Sequence, residues 1–133
     1  LPRGARPVHA QAILNVGETE DLNFQFLSNP SLTFTQVPTN EFLFITSVEV
    51  YSNNLGTDGM FSVGLSPTVN GGVNGQRSNT FRGNRMSTNH FTDQYGLLVT
   101  GRSNETIAAS NQSISDFTVN VRVSGFVVDN LDY

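Results

Sequence analysis

The stretch that most constrains the fold is Glu41–Ser52, EFLFITSVEVYS. Phe42, Leu43, Phe44 and Ile45 stand in a row, the pattern of a strand covered on both faces. After Ile45 the pattern opens into alternation. Val48 and Val50 point one way, and Ser47, Glu49 and Tyr51 point the other. β-Branched and aromatic residues dominate the run, and neither Gly nor Pro interrupts it. A matching period of two recurs near the C-terminus, where Phe117, Val119, Val121 and Val123 alternate with Thr118, Asn120, Arg122 and Ser124. The two runs read as neighbouring central strands of an all-β domain.

Shorter strands group around them. Residues 1–9, LPRGARPVH, carry two Pro and a Gly and read as an extended N-terminal arm. Alternation then marks strands over 10–16, 22–26 and 32–36, separated by an acidic turn at 17–21 and by Ser28-Asn29-Pro30-Ser31. Asn53 to Gly59 is turn chemistry, and Phe61, Val63 and Leu65 alternate after it, so 41–66 reads as a hairpin with a long loop. Residues 67–90 hold two Asn-Gly pairs and three Arg with almost no apolar period; they read as a long loop in which Asn70-Gly71 and Asn74-Gly75 form small turns. Strands follow at 91–100, 105–109 and 115–128. The sum is an all-β, jelly-roll-like two-sheet β-sandwich of about eight strands: an arm at 1–9 and one domain at 10–133.

Composition narrows the chemistry. The chain has no Cys, which removes disulfides and thiol catalysis together, and a chain of 133 residues can bury a core without such staples. No run of about 18 apolar residues offers a membrane-spanning helix. An A-x-A-like step at Ala10-Gln11-Ala12 has no apolar region before it, so no signal peptide is expected there.

All seven basic residues are Arg. Arg3 and Arg6 lie in the first 12 residues, and Arg77, Arg82 and Arg85 lie in 67–90, with no acid in either segment. The remainder sets eleven acids against Arg102 and Arg122. An acidic body with a basic arm and a basic loop points to contact with an acidic surface. The candidate partner-binding residues are therefore Arg3 and Arg6 in the arm and Arg77, Phe81, Arg82 and Arg85 in the loop.

Catalysis finds little support. His9 falls in the arm, and His90 and Asp93 would face opposite sides of a strand. Asn53, Asn54 and Asp58 offer oxygens for calcium but lack the spacing of a calcium loop, so no metal or other cofactor is expected. Two N-glycosylation triplets, at Asn104 and Asn111, matter only in a glycosylating host. Net acidity and the absence of Lys argue against nucleic acid. A carbohydrate platform would have to use Tyr51, Tyr95 or Tyr133, since there is no Trp.

The order of FLFITSVEVYSNN, MFSVGLSP, LLVTGRSNETIAASN and FTVNVRVSGFVVD over roughly residues 40–128 resembles small jelly-roll proteins of bacterial viruses that decorate capsids or sit in tail structures. The resemblance implies a non-enzymatic virion protein, a decoration (cement) protein stabilising a capsid through its N-terminal arm and loop 67–90, with a homo-oligomer, a trimer above all, and neither nucleic acid nor membrane as partner. Two alternatives stay open: an extracellular carbohydrate- or receptor-binding module using loop 67–90, and a secreted filament subunit whose residues 1–16 complete a neighbour's sheet.

Overall fold

The computed structural model describes residues 3–52, 60–73, 75–84, 88–93, 98–114 and 118–129. These form twelve strands and no helix: β1 (Arg6–Leu14), β2 (Thr19–Asp21), β3 (Phe24–Phe26), β4 (Asn29–Phe34), β5 (Glu41–Ser52), β6 (Met60–Val69), β7 (Gly72–Val73), β8 (Asn79–Asn84), β9 (Asn89–Thr92), β10 (Val99–Gly101), β11 (Thr106–Asn111) and β12 (Val119–Asp129). Seven make one antiparallel sheet in the order β10-β5-β12-β1-β3-β4, with β9 also on β5; five make the other in the order β2-β11-β6-β7, with β8 also on β6. The expected sandwich is present, with more and shorter strands than the periodicity suggested.

The two long apolar runs do lie side by side. β5 and β12 pair from Glu41↔Asp129 to Ser52↔Val119 and form the spine of the larger sheet. Leu43, Ile45, Val48 and Val50 of β5 and Val119, Val121, Val123 and Val127 of β12 face the core. Phe61, Val63, Leu65, Phe81, Ile107 and Ala109 of the smaller sheet meet them. Each fully buried Val, Leu or Phe contributes about 1.5–3 kcal/mol, so this shared interior is what holds the layers together.

The phase of burial along β5 shifts from odd to even positions between Ile45 and Val48, and a register break supplies the extra residue. Ser124 pairs with Ser47 but Gly125 pairs with Ile45, which leaves Thr46 as the bulge. Thr46 presents its carbonyl to the Asp93 N–H at 2.8 Å. The bulge also marks the handover on the far edge of β5, where β10 pairs with Leu43–Ile45 and β9 with Ser47–Val50. A Cβ on Gly125 would lie 2.1 Å from the Phe44 carbonyl oxygen, so only glycine fits opposite the bulge.

Several expectations need correction. Strand β1 begins at Arg6 and runs between β12 and β3, so four residues of the expected arm belong to the sheet. Pro7 is tolerated there for a geometric reason. Its carbonyl accepts from the Leu27 N–H at 3.1 Å, so its peptide nitrogen also faces the β3 side, and β12 loses no hydrogen bond. Because β1 completes its own chain's sheet, the incomplete sheet required by a strand-donating filament subunit is not seen.

Residues 41–66 are not a hairpin, since β5 and β6 belong to different sheets. The 67–90 segment is not a single loop either. It carries β7, β8 and the start of β9, which run along the β6 edge of one sheet and cross to the β5 edge of the other. Its turn at Asn70-Gly71 has φ of 52° and 81°, the positive pair a tight hairpin needs. Asn29, Pro30 and Ser31 lie within β4, an exposed edge strand bulged against β3, after a turn at Leu27-Ser28.

Candidate partner-binding surfaces

Arg6 and Arg77 are drawn to the same end of the sandwich, each by an acid of the chain itself. Arg6 leaves the start of β1, pairs with Glu41 at the start of β5 and lies 5.2 Å over the Phe26 ring. Glu41 is also bound through its backbone: its N–H donates to Ser103 Oγ at 3.1 Å, and its carbonyl accepts from the same hydroxyl at 3.0 Å. Ser103 belongs to the turn between β10 and β11, next to Arg102, whose N–H donates to Glu105 Oε1 at 2.6 Å.

Arg77 closes this chain of contacts from the β7–β8 connection. Its two terminal nitrogens reach the two Glu105 oxygens, each at 2.8 Å, and one also donates to the Thr100 carbonyl at 2.7 Å. The side chains of Arg77 and Glu105 are only 16% and 10% exposed. Burial pushes the Glu105 carboxyl up, but the hydrogen bonds from Arg77 and from the Arg102 N–H, with the charges of both arginines, outweigh it and hold the group below the usual value. Arg77 therefore clamps the β10–β11 turn. Its segment is acid-free in sequence, and the fold supplies the acid from 28 residues away.

The other loop candidates separate. Phe81 points inward from β8, 3% exposed, and packs with its ring centroid 5.1 Å from that of Phe91. It is a core residue rather than a surface contact, since strand alternation places Phe81 and Gly83 inside and Thr80, Arg82 and Asn84 outside. Arg82 is exposed opposite Ser62. Arg3, just before β1, is exposed as well. Arg85 and the oxygen-rich Asn53, Asn54 and Asp58 lie outside the described residues, as do Phe117, Tyr95 and Tyr133. Arg102 was not singled out by sequence; it is exposed, and its neighbour Ser103 bonds Glu41, the partner of Arg6.

Both histidines stand on the outward face of the larger sheet. His9 Nε2 meets Gln25 Oε1 at 3.0 Å across β1 and β3, so His9 sits in a strand and not in a mobile arm. His90 Nε2 meets Ser47 Oγ at 2.8 Å across β9 and β5. A Ser–His contact resembles the start of a nucleophile–base pair, but such a pair needs a third group to orient the imidazole. Glu49 is opposite His90 in register, yet its carboxylate is 3.7 Å from Arg122 instead. Among the described residues no cluster of three or more His, Asp and Glu is placed to hold a metal, and no helix is long and apolar enough to cross a membrane. Asn111 is 2% exposed, with its amide on the Leu14 carbonyl at 3.0 Å, so that glycosylation triplet is closed.

No protein-family model and no curated protein matches the chain. Among solved structures it is similar to one titled "Cyanophage Pam1 capsid asymmetric unit", at 11% identity and a TM-score of 0.42, over 95% of this chain and 88% of that one. At that level the likeness settles neither fold nor role.

Proposed function

We propose that the chain is a non-enzymatic structural protein of a virion, a jelly-roll-like decoration protein that stabilises a capsid, held by the end of the sandwich that gathers Arg3, Arg6 and Arg102. The observation that carries this reading is the convergence at that end. The N-terminal residues lead into a central strand there, and the Glu41–Ser103 contacts bring the Arg102 turn beside them. The acid-free N-terminal segment and the Arg102 turn thus meet at one rim, where Glu41 pairs with Arg6 and stands opposite Asp129, on a chain of net charge −4. The segments that resemble the phage proteins supply β5, β6, β10, β11 and β12, so the resemblance falls on the spine and its neighbours. Few charges and many Asn, Ser and Thr suit wet contacts between copies and with a shell.

The test is occupancy on particles. Replacing Arg3 and Arg102 together by Glu in the producing virus is expected to leave a folded chain and to lower its copy number per purified particle, read by quantitative mass spectrometry. Light scattering of the wild-type chain is expected to give a trimer. Unchanged occupancy rejects the rim as the attachment site, and absence of the chain from purified particles rejects the virion role.

A further inference from the structure

The outward face of the larger sheet carries an ordered polar array that attachment through the basic rim does not use. Register places Gln25, His9, Ser124, Ser47 and Thr92 in one row across β3, β1, β12, β5 and β9. Gln11, Arg122, Glu49 and His90 form the next row, two residues along and about 7 Å away. Over the β3–β1–β12 part lies a shallow cavity of about 520 Å³, lined by His9, Gln11, Asn23, Gln25, Arg122 and Ser124 with the backbone beneath. That volume is in the range of small-ligand sites.

The lining has a definite chemistry. It contains planar amides, an imidazole, a hydroxyl and one guanidinium, and no carboxylate. Such groups, beside Ala10 and Val123, meet the donor and acceptor pairs of sugar hydroxyls. Arg122 is 54% exposed in its side chain, and among the described residues its only charged neighbour is Glu49 at 3.7 Å, beyond hydrogen-bond length. Its guanidinium carbon lies 5.7 Å over the Tyr51 ring, a contact that engages the face of the group and not its N–H edges. A half-exposed guanidinium whose one ion pair, to Glu49, is too long for a hydrogen bond can turn its paired donors to a carboxylate in two-point contact.

We propose that this face is a glycan-binding site for a carboxylate-bearing sugar unit, with Arg122 on the carboxylate and Gln11, Gln25 and His9 on the ring hydroxyls. The proposal does not depend on the chain being a virion protein. The test is titration of the intact chain with trigalacturonate and with its fully methyl-esterified form, followed by amide NMR shifts and calorimetry. The two probes share shape and hydroxyls and differ in charge. The acid is expected to bind at millimolar or better affinity, with shifts on β1, β3 and β12, and the ester roughly tenfold or more weakly. Arg122→Gln is expected to bring the acid to the level of the ester at an unchanged unfolding midpoint, and Gln11→Ala to weaken both probes. No binding of either probe at about 10 mM overturns the proposal. So does Arg122→Gln binding as the wild type does, or shifts confined to another face.

Discussion

Arg77 was expected to meet a partner, and the structure gives it an internal task; Arg77→Met separates the two. Methionine keeps much of the apolar stem and removes the guanidinium. Glu105 then loses both side-chain hydrogen bonds, the Thr100 carbonyl loses a donor, and the Arg102 N–H stays on the carboxylate. Removing one member of a buried ion pair costs about 3–5 kcal/mol, because the other charge is left uncompensated. The pair sits at the rim with slight exposure, so water can reach the abandoned carboxylate, and the expectation falls to about 2–3 kcal/mol. In urea that corresponds to a midpoint lower by about 1 M or more. Arg77→Met with Glu105→Gln should cost less than the sum of the single changes, with a coupling of about 1–3 kcal/mol. Acid supplies an independent check. The folded carboxyl titrates below its unfolded value near about 4.3, so its contribution is complete above that pH and is lost as pH falls through the folded value. The stability gap between wild type and Arg77→Met should therefore narrow from pH 7 to pH 3. A cost below about 0.5 kcal/mol at pH 7, the range of ordinary surface changes, would refute the clamp.

Gly125→Ala sets a methyl group against the Phe44 carbonyl and should cost at least about 3 kcal/mol in urea unfolding, whereas Ser124→Ala beside it should stay within about 0.5 kcal/mol. Phe81→Ala should cost about 3–5 kcal/mol and Arg82→Ala within about 0.5 kcal/mol, in the same assay, since one faces the core and the other solvent. Deleting residues 1–5 should leave the thermal midpoint unchanged, whereas deleting 1–9 removes four rungs of the β1–β12 ladder and the buried Val8 and should abolish cooperative unfolding.

The spine of the fold was legible because buried strands advertise themselves through period two, which β5 carries over Val48–Tyr51 and β12 over Val119–Ser124 in sequence, beside unbroken apolar runs. The bulge was also written in the chain. Four apolar residues in a row, followed by alternation in the opposite phase, is what a strand shows when one residue is inserted at Thr46. Read as a change of phase as well as burial on both faces, Phe42–Ile45 predicts the irregularity, and the outward partners Phe126 and Val128 are buried too. Phe42 and Phe44 then fall on the outward side, where Phe44 stacks on Phe126 with centroids 5.4 Å apart. The edge strands β7 and β8 were not legible, and β9 and β10 were read as one strand over 91–100, because two to six residues give too few alternations to rise above an Asn- and Gly-rich background. What holds β8 and β9 is the neighbour each finds on β6 and β5, and that information is not local.

Charge misled for the same reason. Counting arginines by segment treats each stretch as facing solvent with its own neighbours, so 1–12 and 67–90 looked like unpaired basic patches. Folding brings Glu41 to Arg6 and Glu105 to Arg77 across 35 and 28 residues, and both arginines become internal fasteners. Turn chemistry offered a partial signal at Glu105. It stands three residues after Arg102 in a turn where Asn104 adopts φ 69°, and a carboxylate in that position can accept the Arg102 N–H and fix the turn. A carboxylate so fixed at the edge of the core needs a cation. Where a chain has no Lys, the cation has to be an arginine, the residue whose planar fork can satisfy both oxygens at once.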